Sequence, residues 1–190
     1  MTEELIIAGF GGQGVLSMGK ILAYAGIVQG KEVTWMPSYG PEMRGGTANV
    51  TVVLSGNRIS SPIVQQYDSV IVLNQQSMDK FAPCVKRGGV LLYDPNGIPT
   101  PSQRTDIAIY TIDATQEAVK MGNAKVFNMI VLGAYLHIKP IVTIENVLKA
   151  LQKSLPERAH QLIPINEQAI RLGGERMESG EWRVESGELQ

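Results

Sequence analysis

Six residues near the N-terminus, GFGGQG from Gly9 to Gly14, leave the backbone around them little choice of local fold. They follow the apolar run Leu5–Ala8 and open the periodic stretch Val15–Val28, an order that reads as strand, tight turn, helix. The spacing G-x-G-x-x-G permits a sharp turn, close approach to the main chain, and tight packing of helix on strand. Unpaired N–H groups at the start of such a helix also attract an anion. A tight turn with nothing bound satisfies the same pattern, although the additional Gly12 and Gln13 sharpen it. The candidate binding residues of this stretch are Gly9, Gly11, Gly12, Gln13 and Gly14.

Gly30 and the run Val33–Met36 complete a βαβ candidate. A dinucleotide fold places an Asp or Glu about 20 residues beyond the glycines, at the end of the second strand, to hold the ribose hydroxyls. Met36, Pro37 and Ser38 stand there instead, and Glu32 precedes the strand, so NAD binding is disfavoured. The next segment, SYGPEMRGGTANV from Ser38 to Val50, reads as a structured loop entering the alternating run Thr47–Leu54. Arg44 beside Gly45 and Gly46 suits a phosphate or carboxylate, its guanidinium fork aided by backbone N–H groups. The competing reading is an ion pair between Glu42 and Arg44 that only buttresses the glycine turn.

Short apolar strands at Ser69–Leu73, Val90–Tyr93 and Ile107–Ile112, with a helix from about Ser77, continue the alternation. It predicts an α/β fold, Rossmann-like, with a mostly parallel sheet and helices on both faces. The last third reads as helices at Thr115–Met121, Val126–Leu136, Thr143–Leu155 and Ile165–Leu172, with Thr143 as an N-cap. Gly173 and Gly174 are expected to end the last helix, leaving one domain over 1–172 and a loose, acidic, low-complexity tail over 173–190.

Of 190 residues, 17 are basic and 18 acidic, a formal net charge of -1 that argues against a broad grip on nucleic acid. Met1–Glu4 lacks a basic leader and no apolar run reaches the roughly 18 residues of a membrane span, so a cytoplasmic location is expected. Cys84 is the single cysteine, which rules out an intrachain disulfide and a four-cysteine iron–sulfur site. His137 and His160 show no metal-ligand spacing, so no metal site and no catalytic residue is assigned.

GFGGQGV followed by YGPEMRGGTANV resembles the gamma subunit of the thiamine-diphosphate-dependent 2-oxoacid:ferredoxin oxidoreductases, over about Leu5–Leu172 and including Asn128 and Asn166. The nearest resemblance is to subunits of enzymes for 2-oxoglutarate or branched-chain 2-oxoacids such as ketoisovalerate. It implies a hetero-oligomer that decarboxylates a 2-oxoacid, passes electrons through iron–sulfur clusters to ferredoxin and releases an acyl-CoA. Alpha and beta subunits, with delta as an optional further chain, are the implied partners. This chain has no G-D-G segment with a downstream Asn to hold a diphosphate-bound Mg²⁺ ion, and too few cysteines for a cluster. The resemblance therefore implies that thiamine diphosphate, Mg and the clusters belong to partner chains, and that this chain gives structure and a share of the coenzyme A site. Gly11–Gly14 and Arg44, with Gly45 and Gly46, are the residues suited to that share. A self-sufficient nucleotide-binding or regulatory module using the same turn is the alternative.

Overall fold

Leu5, Ile6, Ile7 and Ala8 are apolar in succession rather than alternately, so their strand is stable only where both of its faces are covered. In the computed structural model, which describes residues 2–38 and 47–179, that strand lies inside a six-stranded sheet. Its strands are β1 (Thr2–Phe10), β2 (Glu32–Ser38), β3 (Thr47–Ser55), β4 (Tyr67–Val72), β5 (Val85–Tyr93) and β6 (Ala108–Thr111). Their order is β2-β3-β1-β4-β5-β6. β1, β4, β5 and β6 run parallel, and β3 is antiparallel to both β1 and β2. The expected mostly parallel α/β sheet is therefore present, and the antiparallel β3 makes it a mixed one.

The βαβ unit differs from expectation in one respect, because β2 is parallel to β1 but not its neighbour. β3 lies between them. Ala48, Val50, Val52 and Leu54 on one face of β3, and Val53 on the other, are almost wholly buried, which suits an interior strand. β2 is half exposed along its length and carries Pro37, which cannot donate to a ladder and belongs at a sheet edge.

The helices are α1 (Val15–Val28), α2 (Gln75–Phe81), α3 (Ala114–Lys120), α4 (Phe127–Ile138), α5 (Ile144–Ser154) and α6 (Ile163–Glu178). Both faces carry helices, unequally: α1, α3, α4, α5 and α6 share one apolar cluster with Leu5, Ile7 and Ile71, whereas α2 packs with Ile6, Val70 and Leu91 on the other face. α5 shows the amphipathic spacing that puts Val147, Ala150 and Leu151 inward, and the Thr143 side chain caps it by accepting from the Asn146 amide at 3.3 Å. α4 is apolar all round, and its Tyr135 is fully buried and donates to the buried Glu3 carboxylate at 3.1 Å, while Ser69 donates to the same oxygen. Burial, then the negative charge of Glu3, push the Tyr135 hydroxyl well above its ordinary value.

The last helix does not stop at Gly173–Gly174. α6 continues through both glycines to Glu178. A Cβ on Gly173 would fall 2.0 Å from the carbonyl oxygen of Ile130, and one on Gly133 1.9 Å from that of Ile170. The two glycines thus let α4 and α6 cross backbone against backbone, a use of glycine that outweighs its tendency to end helices. Beyond the crossing, Met177 packs on the core and Arg176 reaches Glu117 of α3 at 2.8 Å. The boundary expected at residue 173 is corrected accordingly, and residues 180–190 lie outside the described part of the chain.

Candidate functional site

The glycine turn leaves the carboxyl end of β1, which is also where strand order reverses. β1 has the later strand β3 on one side and the still later β4 on the other, so the chain crosses over β1 in both directions and opens a crevice at its end. Gly12 and Gly14 have φ of 94° and 75°, the left-handed region that favours glycine. Gly14 is also the N-cap of α1 and offers no side-chain cap. The first-turn amides of Val15, Leu16 and Ser17 bond to no backbone carbonyl among the described residues, while that of Met18 takes the Gly14 carbonyl at 3.0 Å.

The Gln13 side chain is engaged within the fold. Its Oε1 accepts from the Phe10 amide at 2.6 Å, and its Nε2 donates to the Leu73 carbonyl at 3.1 Å, just beyond β4. Both ends of the side chain are thus used within the fold, clamping the turn across the crevice. Gly9 faces Gln13 and Leu73 in the same clamp. Asp94, buried at the carboxyl end of β5, is similarly occupied. It accepts from the amide and side chain of Asn96, at 2.9 and 2.8 Å, and from the amide and hydroxyl of Thr115, at 2.9 and 2.6 Å.

Two clefts among the described residues border the turn. A cleft of about 310 Å³ is bordered by Phe10, Gly11, Leu16, Ser17 and Ala48. A second, of about 360 Å³, is bordered by Gly12, Gly14, Lys125, Phe127 and Asn128. Asn128 was not expected to touch the turn, yet a Cβ on Gly14 would fall 2.1 Å from its Nδ2. The third glycine of the motif therefore makes room for the N-terminus of α4. The available signal was a polar Asn in the otherwise apolar opening FNMIVLGAY.

Arg44, Gly45 and Gly46 lie outside the described residues. Their described flanks lie at the same end of the sheet as the turn, since Thr47 pairs with Phe10, and Ser38 pairs with Asn49, itself opposite Ala8. Glu32 pairs with Ser55 at the opposite end, beside Thr2. It stands far from the turn, as the sequence indicated. Among the described residues no three His, Cys, Asp or Glu side chains are grouped to hold a metal ion. With Cys84 as its single cysteine the chain cannot supply four thiolates to an iron–sulfur cluster, whereas the glycine turn offers donors suited to an anion.

Compared with known proteins, residues 4–176 match the family model described as pyruvate ferredoxin/flavodoxin oxidoreductase. The chain belongs to this family. Among relatives in the pyruvate ferredoxin/flavodoxin oxidoreductase group, ketoisovalerate oxidoreductase subunit VorA of Methanothermobacter thermautotrophicus is 45% identical over 132 residues, covering 68% of this chain. The matched segment spans only 27% of that relative's length. The 2-oxoglutarate synthase subunit KorC of Methanocaldococcus jannaschii is 36% identical over 162 residues, which cover 83% of this chain and 86% of that one. The gamma subunit of a keto/oxoacid ferredoxin oxidoreductase from Geobacter sulfurreducens superposes with a TM-score of 0.82 at 28% identity, covering 94% of this chain and 98% of that chain. All three are named as subunits of oxidoreductases or synthases, and none as a nucleotide-binding or regulatory module. The family match extends past Gly173 and Gly174, in keeping with the continuation of α6. No helix among the described residues is long and apolar enough to cross a membrane.

Proposed function

We propose that this chain is the gamma-type subunit of a cytoplasmic 2-oxoacid:ferredoxin oxidoreductase. Alpha and beta subunits, with delta as an optional further chain, are its partners, and ferredoxin is the acceptor reached through the assembly. The observation that carries the reading is the convergence of both family-like motifs, the glycine turn and the flanks of the Arg44 loop, at one end of the sheet. Thiamine diphosphate with Mg, and the iron–sulfur clusters, belong on the partner chains. Bound there, thiamine diphosphate supplies the decarboxylation chemistry.

This chain's share is to shape the side from which coenzyme A arrives. Main-chain donors at Gly11–Gly14 and the cation of Arg44, beside Gly45 and Gly46, face anionic groups of coenzyme A. Gly9 and Gln13 hold the turn in shape. The substrates in view are 2-oxoglutarate and branched-chain 2-oxoacids such as ketoisovalerate.

Reconstitution with the partner chains tests the proposal. Omitting this chain should abolish coenzyme-A-dependent reduction of ferredoxin by the 2-oxoacid, and undiminished turnover without it would refute the subunit role. Arg44→Ala separates two parts of that role. Normal assembly with a higher coenzyme A requirement for half-maximal rate places Arg44 on the coenzyme, and weakened assembly places it between subunits. A less stable isolated chain would instead favour an internal Glu42–Arg44 pair, and no change in assembly, coenzyme A requirement or stability would refute a role for Arg44.

A further inference from the structure

At the other end of α4 from the glycine turn, a cleft of about 420 Å³ opens between the last turn of α4, the start of α5 and one face of α6. Its floor is apolar. Leu136 and Val142 are buried there, and Ile144 is half-buried beside them. Gly174 also lines the cleft, and neither its backbone nor its packing demands glycine: its φ is not positive, and a Cβ would meet nothing nearer than the Gly133 oxygen at 3.9 Å. A glycine inside a helix costs stability relative to alanine. What the missing side chain does at this position is leave the cleft open.

The rim supplies an independent observation, because it carries both signs of charge. Arg171 gives Nε and Nη2 to Glu167 at 3.1 and 2.8 Å, while its Nη1 bonds nothing among the described residues. Since Arg171 turns back to Glu167, Glu175 one turn further on is left without an ion pair among the described residues. His137 and Glu178, also at the rim, make no hydrogen bond or ion pair among them either. A ligand matching this lining brings a carboxylate to Arg171 and the His137 ring, an ammonium to Glu175 and Glu178, and an apolar body to the floor. Arg171 and Glu175 stand at i and i+4, with Cβ atoms about 5–6 Å apart, so a ligand bearing both charges on one carbon reaches both. The volume lies within the range of about 300–1,000 Å³ usual for small-molecule sites.

We propose that the cleft between the end of α4, the start of α5 and α6 binds a free α-amino acid with a branched aliphatic side chain. Arg171 and His137 hold its carboxylate, Glu175 and Glu178 its ammonium, and Leu136, Val142 and Ile144 its side chain above Gly174. The proposal goes beyond the subunit reading and does not depend on it, because every residue named belongs to this chain and none to the glycine turn.

The test titrates L-leucine into the ¹⁵N-labelled full chain. Amide signals of Ile144, Gly174 and Glu175 should shift together and saturate. Three analogues each remove one part of the match: 4-methylpentanoate lacks the ammonium, leucine amide lacks the carboxylate, and serine lacks the apolar side chain. Each should bind about tenfold more weakly than leucine. Gly174→Ala puts a methyl group into the cleft while favouring the helix, and should weaken leucine binding by about tenfold in a chain that melts no lower than the wild type. Arg171→Gln and Glu175→Gln each remove one exposed charge, and should weaken binding by roughly threefold to tenfold with melting little changed. Saturable binding that falls in the three variants and in the three analogues supports the site. No saturable shift in the folded chain, binding of any analogue as tight as that of leucine, or unchanged affinity in all three variants overturns it.

Discussion

Substituting Gly173 and Gly174 one at a time by alanine should move stability in opposite directions, although the two residues are adjacent on one helix. A Cβ on Gly173 meets the Ile130 oxygen at 2.0 Å and the Ala134 nitrogen at 2.8 Å, both main-chain atoms that no side-chain rotation can clear. Real Cβ contacts essentially never fall below 3.0 Å, so α4 and α6 must part by roughly 1 Å, in a close-packed interior that resists it. Overpacking of this kind costs about 1–3 kcal/mol and at times more, and a contact with backbone belongs at the upper end. Alanine returns about 1 kcal/mol in helix propensity, leaving a net loss of about 2 kcal/mol. For a chain of this size that lowers Tm by roughly 4–8 °C. On Gly174 the nearest atom to a Cβ is the Gly133 oxygen at 3.9 Å, so the propensity gain is kept and Tm should rise by roughly 2–4 °C. Thermal melts followed by far-UV circular dichroism read both variants. If Gly173→Ala stabilises as much as Gly174→Ala, α6 does not cross α4 at this distance, and the earlier stop at Gly173 becomes the better description.

Other consequences follow from single contacts. Gln13→Glu keeps an acceptor for the Phe10 amide but turns a carboxylate oxygen toward the Leu73 carbonyl, and should lower stability by about 1–2 kcal/mol in urea denaturation; an unchanged midpoint would mean the clamp contributes nothing. For Glu117, burial acts to raise the pKa, but hydrogen bonds from Lys120 and Arg176 outweigh it and hold the carboxyl below its ordinary value of 4.5. A depressed folded pKa stabilises the protein above the unfolded value, and that stabilisation is lost as pH falls through the folded one. Arg176→Gln should therefore cost about 1 kcal/mol at pH 7, and its Tm should converge on the wild-type value as pH falls below 4.5. A gap that stays constant down to acid unfolding would exclude the ion pair as its cause. Truncation after Leu172 removes Gly173, Arg176 and Met177 and should lower Tm markedly, whereas truncation after Ser179 keeps every described contact of α6 and should not.

The parts of this fold legible in the sequence are those governed by near neighbours along the chain. Val15–Val28 could be read as a helix to the residue because a glycine turn starts it and its apolar spacing is local. Thr143 could be read as a cap because its partner, Asn146, is one turn away. The insertion of β3 between β1 and β2 could not be read, because alternation shows that a strand is half buried but not which strand it pairs with. Gly173 was misread for a related reason. Helix-ending glycine and helix-crossing glycine look the same until the facing backbone, here Ile130, is in place.

Site residues divide in the same way. Gly12 and Gly14 could be identified as special because their positive φ is a local demand. The motif alone does not show that Leu73, just beyond β4, takes the Gln13 amide. Asn128 is brought to the turn only by the packing of α4, so its sequence position gave no hint of which glycine it faces.

The subunit reading is exposed to its sharpest test by anaerobic purification of the tagged chain from its native cells, with every co-purifying chain identified and the cofactor content measured. The expected result is a stoichiometric assembly in which other chains carry thiamine diphosphate and the iron–sulfur clusters, and which reduces ferredoxin in the presence of a 2-oxoacid and coenzyme A. The contradicting result is a chain that purifies alone with a tightly bound nucleotide, or that itself carries a stoichiometric cluster.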